Sequence, residues 1–89
     1  LKTTTLTILN SLGLHARPSA KIAKLANQYD SEIQLTANEK TIDAKSIMQL
    51  MMLAAKQGTN VTLTATGNEE EQAIAALSEL FNSAFDEKT

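Results

Sequence analysis

The chain contains one proline, Pro18, and that residue dictates where a helix can begin. Proline lacks an amide hydrogen and clashes with a preceding helical turn. It is therefore confined to the first turn of a helix, and it biases the residue before it away from helical geometry. From Ala16 to Tyr29, the residues Ile22, Leu25, Ala26 and Tyr29 recur at i, i+3, i+4 and i+7, the spacing of an amphipathic helix. The proline thus pins the start of that helix close to His15. The same stretch, Gly13-Leu14-His15-Ala16-Arg17-Pro18-Ser19, holds the only histidine and the only arginine of the chain. A loop that hands over to a helix there points free N–H groups and a partial positive charge at whatever lies in front of it.

The remaining pattern alternates between periods of about 2 and about 3.6 residues. Thr3 to Ile8 is rich in β-branched residues, with Leu6 and Ile8 on one side, and reads as a strand. Ile33 and Leu35 mark a second strand, Ala37 to Lys40 a turn, and Thr41 to Asp43 a short third strand. Ser46 is placed to cap a helix over Ile47 to Ala55, closed by Lys56 and Gly58. Val61, Leu63 and Ala65 alternate with polar neighbours in a fourth strand. Asn68 then caps a last helix whose apolar stripe is Ile74, Leu77, Phe81 and Ala84. Glu71, three residues on, completes a capping box. The order is β-α-β-β-α-β-α in a single domain over residues 1–89. This is an α+β layer with helices on one face of a mainly antiparallel sheet.

Composition narrows the function classes. The chain has 89 residues, is 43% hydrophobic and 20% charged, and lacks cysteine, so disulfides, thiol catalysis and cysteine-ligated zinc are excluded. The longest nearly apolar run, Ile47 to Ala55, is too short to span a bilayer, and no signal peptide is visible. A cytoplasmic protein without membrane insertion is expected. The net charge of −2 argues against general nucleic-acid affinity. Charge is unevenly spread: the first 29 residues carry Lys2, Arg17, Lys21 and Lys24 and no acid. A basic region around His15 would steer an acidic partner.

His15 is the candidate nucleophile. A helix N-terminus disfavours imidazolium, which leaves a neutral ring with an exposed lone pair. A phosphoryl group on that ring would meet the N–H groups of Ala16 and Arg17 and the Arg17 guanidinium. No glycine-rich phosphate loop, second histidine or carboxylate lies near His15 in sequence, so neither a hydrolytic triad nor a metal set is expected. What remains is half a site that a partner completes. The helix from Ile47 supplies a place for one: Leu50, Leu53 and Ala54 share one face, while Met48, Met51 and Met52 share another. Methionine-rich surfaces adapt to several partners. Ser46, at the head of that helix, is a candidate for regulatory phosphorylation.

With these residues in hand, the chain resembles the HPr family of histidine-containing phosphocarriers of the bacterial phosphotransferase system, over essentially its whole length. The resemblance rests on Gly13 to Pro18, Ala44-Lys45-Ser46, Gln57-Gly58-Thr59 and the Gly67 junction. The tail from Glu70 to Glu87 looks closest to the nitrogen-branch relatives, NPr. The resemblance implies an open-faced β-sandwich with sheet order 1-4-2-3 and three helices on one side. It implies that His15 accepts phosphate on Nδ1 from phosphorylated enzyme I and passes it to a IIA-type domain, with Arg17 assisting. Leu14, Ala20, Ile47, Met48 and Met51 would form the docking surface. Ser46 matches the position that HPr kinase/phosphorylase modifies in many bacteria. Met51 and Ala54 stand where the family commonly has a polar residue or glycine, which bears on partner choice.

The expectation is therefore a monomeric carrier that is a substrate of enzyme I and IIA components, not an enzyme with turnover of its own, and one that uses no cofactor or metal. An NPr-like regulatory carrier uncoupled from sugar uptake is the alternative. A nucleic-acid-binding α+β module would need sheet aromatics and a basic face. A small hydrolase would need a complete catalytic constellation.

Overall fold

The computed structural model describes residues 1–87. The elements follow the expected order: β1 (Lys2–Thr7), α1 (Ala16–Ala26), β2 (Ser31–Ala37), β3 (Lys40–Asp43), α2 (Ile47–Leu53), β4 (Asn60–Gly67) and α3 (Glu70–Asn82), then one short 3-10 turn at Ala84–Asp86. The four strands form one antiparallel sheet in the order β1-β4-β2-β3. Alternation decides its two faces. Leu6, Ile33, Leu35, Val61, Leu63 and Ala65 are buried against the helices, whereas their neighbours Glu32, Gln34, Thr62, Thr64 and Thr66 look outward. The helices complete the core with Ile22, Ala26, Leu50, Leu53, Leu77 and Phe81. This is the open-faced sandwich that the resemblance implies.

Local chemistry explains the boundaries. The β2–β3 turn puts Asn38 and Glu39 at φ of 52° and 65°, the positive values that a tight hairpin consistent with strand twist needs. Helix α1 starts at Ala16 despite the proline two residues on, and Pro18 falls in the first turn. The helix stops at Ala26, so Tyr29 packs on the core from the turn beyond it. Helix α2 is shorter than its apolar pattern. Ala54 adopts left-handed geometry (φ 53°) and ends it, leaving Ala54 exposed and Leu50 and Leu53 as its buried residues. Gly58 lies further on, with its N–H bonded to the Ile8 carbonyl at 2.8 Å.

The start of α3 departs from the expected cap. Its N-cap is Glu69, not Asn68, and no side chain caps it. Asn68 instead donates to Asp30, and Glu70 reaches back to accept from the Gly67 N–H at 3.1 Å. The backward-reaching carboxylate of a capping box is present, but one residue earlier than the Asn68–Glu71 spacing places it. Ala84, expected on the α3 stripe, lies past the helix end.

Candidate functional site

The site is assembled on a loop that has almost no freedom. Between β1 and α1 the backbone is tied to the α2–β4 connection: Ile8 N–H donates to Thr59, Leu14 N–H to Ala55, and the Gln57 side chain to the Leu9 carbonyl. Gly13 sits at φ 66° with its α-carbon against Ala55. A Cβ there would run into the Ala55 carbonyl that accepts from Leu14. Only glycine satisfies both the conformation and the approach. Asn10, fully buried, closes the turn: Gly13 N–H donates to its carbonyl, and its own Nδ2 donates to the Gly13 carbonyl at 2.8 Å. The Ser19 hydroxyl donates to the Leu14 carbonyl from below.

His15 emerges as the N-cap residue of α1, extended at φ −78° and ψ −170°, and its side chain makes no capping bond. The first intrahelical bond runs from Ser19 N–H to the His15 carbonyl. Of the three residues between, Pro18 has no donor. Among the described residues the helix start therefore leaves two N–H groups without a partner, those of Ala16 and Arg17. Arg17 is exposed, and among the described residues it forms no ion pair. Its guanidinium remains available to an anion at the helix start.

The chain's other end supplies a group that sequence reasoning missed. Glu87, 72 residues from His15, faces the ring with Oε2 at 3.0 Å and Oε1 at 3.2 Å from Nε2. Asn10 Nδ2 holds the same carboxylate at 2.7 Å. Burial raises the Glu87 carboxyl, but the hydrogen bonds from His15 and Asn10 and the positive charges of His15 and Arg17 outweigh it. The group is held below the ordinary carboxylate value. Ionised, it can only accept, so the ring carries its proton on Nε2, and a neutral His15 has its lone pair on Nδ1. No signal in the sequence points to this contact, because it depends on how the tail turns. Asn10 was legible in part: an Asn three residues before a glycine is a turn signature.

The docking residues divide. Ile47, Met48, Met51 and Met52 are 44%, 73%, 45% and 69% exposed on α2, and Leu12 beside them is 71% exposed. Ala20 is also exposed on α1. Leu14 is 4% exposed and packs into the core, so it offers a partner little area. A depression of 260 Å³ joins the patch to the imidazole, lined by Leu12, Met51, Ala54, Lys56 and His15. The Ser46 hydroxyl accepts from Gln49 N–H at 3.2 Å and so caps α2 as expected. Among the described residues no cluster of three or more His, Cys, Asp or Glu side chains is placed to hold a metal, and no helix is long and apolar enough to cross a membrane.

The structure is thus a small α+β domain that presents one histidine at an uncapped helix start, beside an exposed apolar patch. A sequence model described as "PTS HPr component phosphorylation site" matches residues 2–83. The phosphocarrier protein HPr of Pseudomonas aeruginosa is 48% identical over 83 residues, covering 92% of each chain. The phosphocarrier protein NPr of Escherichia coli K12 is 44% identical over 84 residues, covering 93% of each. A crystal structure of HPr from Thermoanaerobacter tengcongensis superposes with a TM-score of 0.95 at 43% identity, over 100% of both chains. The chain belongs to the HPr family of phosphocarrier proteins.

Proposed function

We propose that this protein is a cytoplasmic phosphocarrier of the phosphoenolpyruvate-dependent phosphotransferase system. His15 Nδ1 accepts a phosphoryl group from phosphorylated enzyme I and gives it to a IIA-type domain. The observation that carries this reading is the start of α1: a histidine at the N-cap, with two N–H groups behind it and an arginine beside it that find no partner among the described residues. As the phosphoryl group arrives, the N–H groups of Ala16 and Arg17 and the guanidinium take up its charge. Each bond is individually moderate, which suits a carrier that has to release its cargo. The partner brings the second histidine and completes an in-line transfer.

Ile47, Met48 and Met51 supply the docking surface, with Ala20 on the adjoining helix. Ser46 lies at the border of that surface. A phosphate added there by an HPr kinase/phosphorylase would sit at the head of α2 and place negative charge on the docking face. The carrier has no turnover alone and works as a monomer.

The test is incubation with enzyme I and phosphoenolpyruvate, reading acid-labile phosphate on the chain. His15→Ala is expected to lose all of it while remaining folded, with only the small fall in melting temperature that follows from the lost Glu87 bond, because the ring contributes little to the core. Retained acid-labile phosphate in that variant would refute the assignment. The similarity of both HPr and NPr relatives makes the branch a separate question. Enzyme I of the sugar branch is expected to charge the chain faster than enzyme I of the nitrogen branch, and the reverse order would make it an NPr-like regulatory carrier.

A further inference from the structure

The tail after α3 follows a path that needs an explanation. Ala84, Phe85 and Asp86 all have positive φ, 54°, 59° and 59°, and none is glycine. Left-handed geometry costs non-glycine residues on the order of 1–2 kcal/mol each. The turn is held by what it delivers. Phe85 is fully buried and packs edge-on against Phe81, with ring centroids 4.9 Å apart. Lys21 Nζ, from α1, donates to the Phe85 carbonyl. Two residues on, Glu87 lies between Asn10 and the His15 ring, with its side chain only 10% exposed. A carboxylate free to choose would remain in water. This one is brought to the nucleophile by a strained turn, a buried anchor and a buried amide.

Resting on the function proposed above, we infer that Glu87 is a positioning residue for phosphoryl transfer: it keeps the proton on His15 Nε2 in both the empty and the loaded carrier. In the empty carrier this leaves the Nδ1 lone pair free to attack. On charging, the Nδ1–P bond forms and the donor's N–P bond breaks, with its electron pair staying on the donor nitrogen. No proton has to leave the ring, because Nδ1 carried none. The loaded ring, bonded to phosphorus at Nδ1 and to hydrogen at Nε2, is formally cationic, and Glu87 supplies the matching charge. On discharge the Nδ1–P pair returns to Nδ1, and the ring is again neutral with its Nε2 proton in place. Without that proton the loaded ring would be a neutral phosphoimidazole and a poorer leaving group. The other charged groups that the described residues bring to the ring are cationic, Arg17 on α1 and Lys56 on the α2–β4 connection, so among the described residues the Glu87 carboxylate is the one that favours the proton.

The test can be separated from the enzymes. Small-molecule phosphoramidate loads exposed histidine directly, and 31P NMR distinguishes phosphate on Nδ1 from phosphate on Nε2. The full chain is expected to load on Nδ1 alone. Glu87→Ala is expected to load on both nitrogens, because Nε2 is uncovered. Glu87→Gln is expected to stay largely on Nδ1, since its carbonyl still accepts from Nε2–H. In both variants the pH midpoint for deprotonation of the loaded ring is expected to fall by at least about half a unit, because the charge is gone. A purely structural tail would lower melting temperature and leave the isomer ratio and the midpoint unmoved. Unchanged isomers and midpoint in Glu87→Ala, or loading of the unmodified chain on Nε2, would overturn the inference. Failure of enzyme I to charge a chain that phosphoramidate loads normally would count against the proposed function and leave this role standing.

Discussion

Helices α1 and α2 pack against each other with their starts at opposite ends, Leu14 before α1 bonded to Ala55 beyond α2 and Lys45 before α2 bonded to Asn27 beyond α1, and they begin differently. At the head of α2, Ser46 turns its hydroxyl onto Gln49 N–H and satisfies a donor that the helix cannot satisfy itself. At the head of α1, His15 occupies the same N-cap position and makes no such bond. Its ring turns away to Glu87 instead, and the N–H groups of Ala16 and Arg17 find no partner among the described residues. The first terminus is finished by its own sequence. The second is left unfinished and supported from outside, by Gly13 beneath it, Asn10 behind it and the tail beside it. Stability that a serine at position 15 would add locally is forgone to keep an anion site open.

The contrast can be broken most severely at Gly13. Gly13→Ala forces a side chain onto the Ala55 carbonyl and a left-handed residue without glycine's freedom. A loss of about 1–3 kcal/mol in denaturant unfolding is expected, along with a displaced helix start and impaired phosphate uptake. The finished terminus is worth less. Ser46→Ala removes the α2 cap and should cost about 1 kcal/mol, read as a lower midpoint in urea at an unchanged slope. The reverse experiment at the open terminus is the sharpest. His15→Ser installs a cap where none exists but removes the Nε2–H that Glu87 accepts, so it should stay within about 0.5 kcal/mol of the unmodified chain while abolishing phosphorylation. A larger loss in the His15→Ser chain would mean that the ring supports the fold after all.

The smallest expected effect is on acid sensitivity, which of these two helix starts should belong to α1. The Glu87 carboxyl is held below the ordinary value of 4.5 in the folded chain. Its contribution is therefore complete above the unfolded value and is lost as pH falls through the lower folded one. Melting of the unmodified chain and of Glu87→Gln should differ at neutral pH and converge on acidification. Ser46→Ala should show no such convergence, and an equal gap at all pH values would remove Glu87 from the stability of the α1 start.

Much of this was legible in the residues. The periodicities of Ile22 to Tyr29 and of Val61 to Ala65 placed elements to within a few residues, because each pattern reports which side of one helix or strand must leave water. The placement of Pro18 and Gly13 around His15 located the site. Errors fell at helix ends. The α2 pattern runs on to Ala55, yet the chain turns at Ala54. The Asn68 amide that looked like a cap was taken by Asp30 from another loop. At Asn68 a nonlocal bond competed with the local preference and won, whereas α2 closes on itself through the left-handed Ala54, whose N–H donates to Met51.

What the sequence determined by itself was the candidate nucleophile, the two N–H donors and the arginine, since all lie within three positions of one another and a helix start arranges them automatically. It also determined the split between the buried and exposed faces of α2. Only the tertiary structure supplied the physical reason that leaves Nδ1, the nitrogen implied by the resemblance, as the free one. That depends on Glu87, which reaches His15 across 72 residues through a left-handed turn anchored by Phe85. Local propensity disfavours such a turn, so no local pattern announces it. Burial of Phe85 in a core that exists only once the sheet and helices have assembled holds it in place.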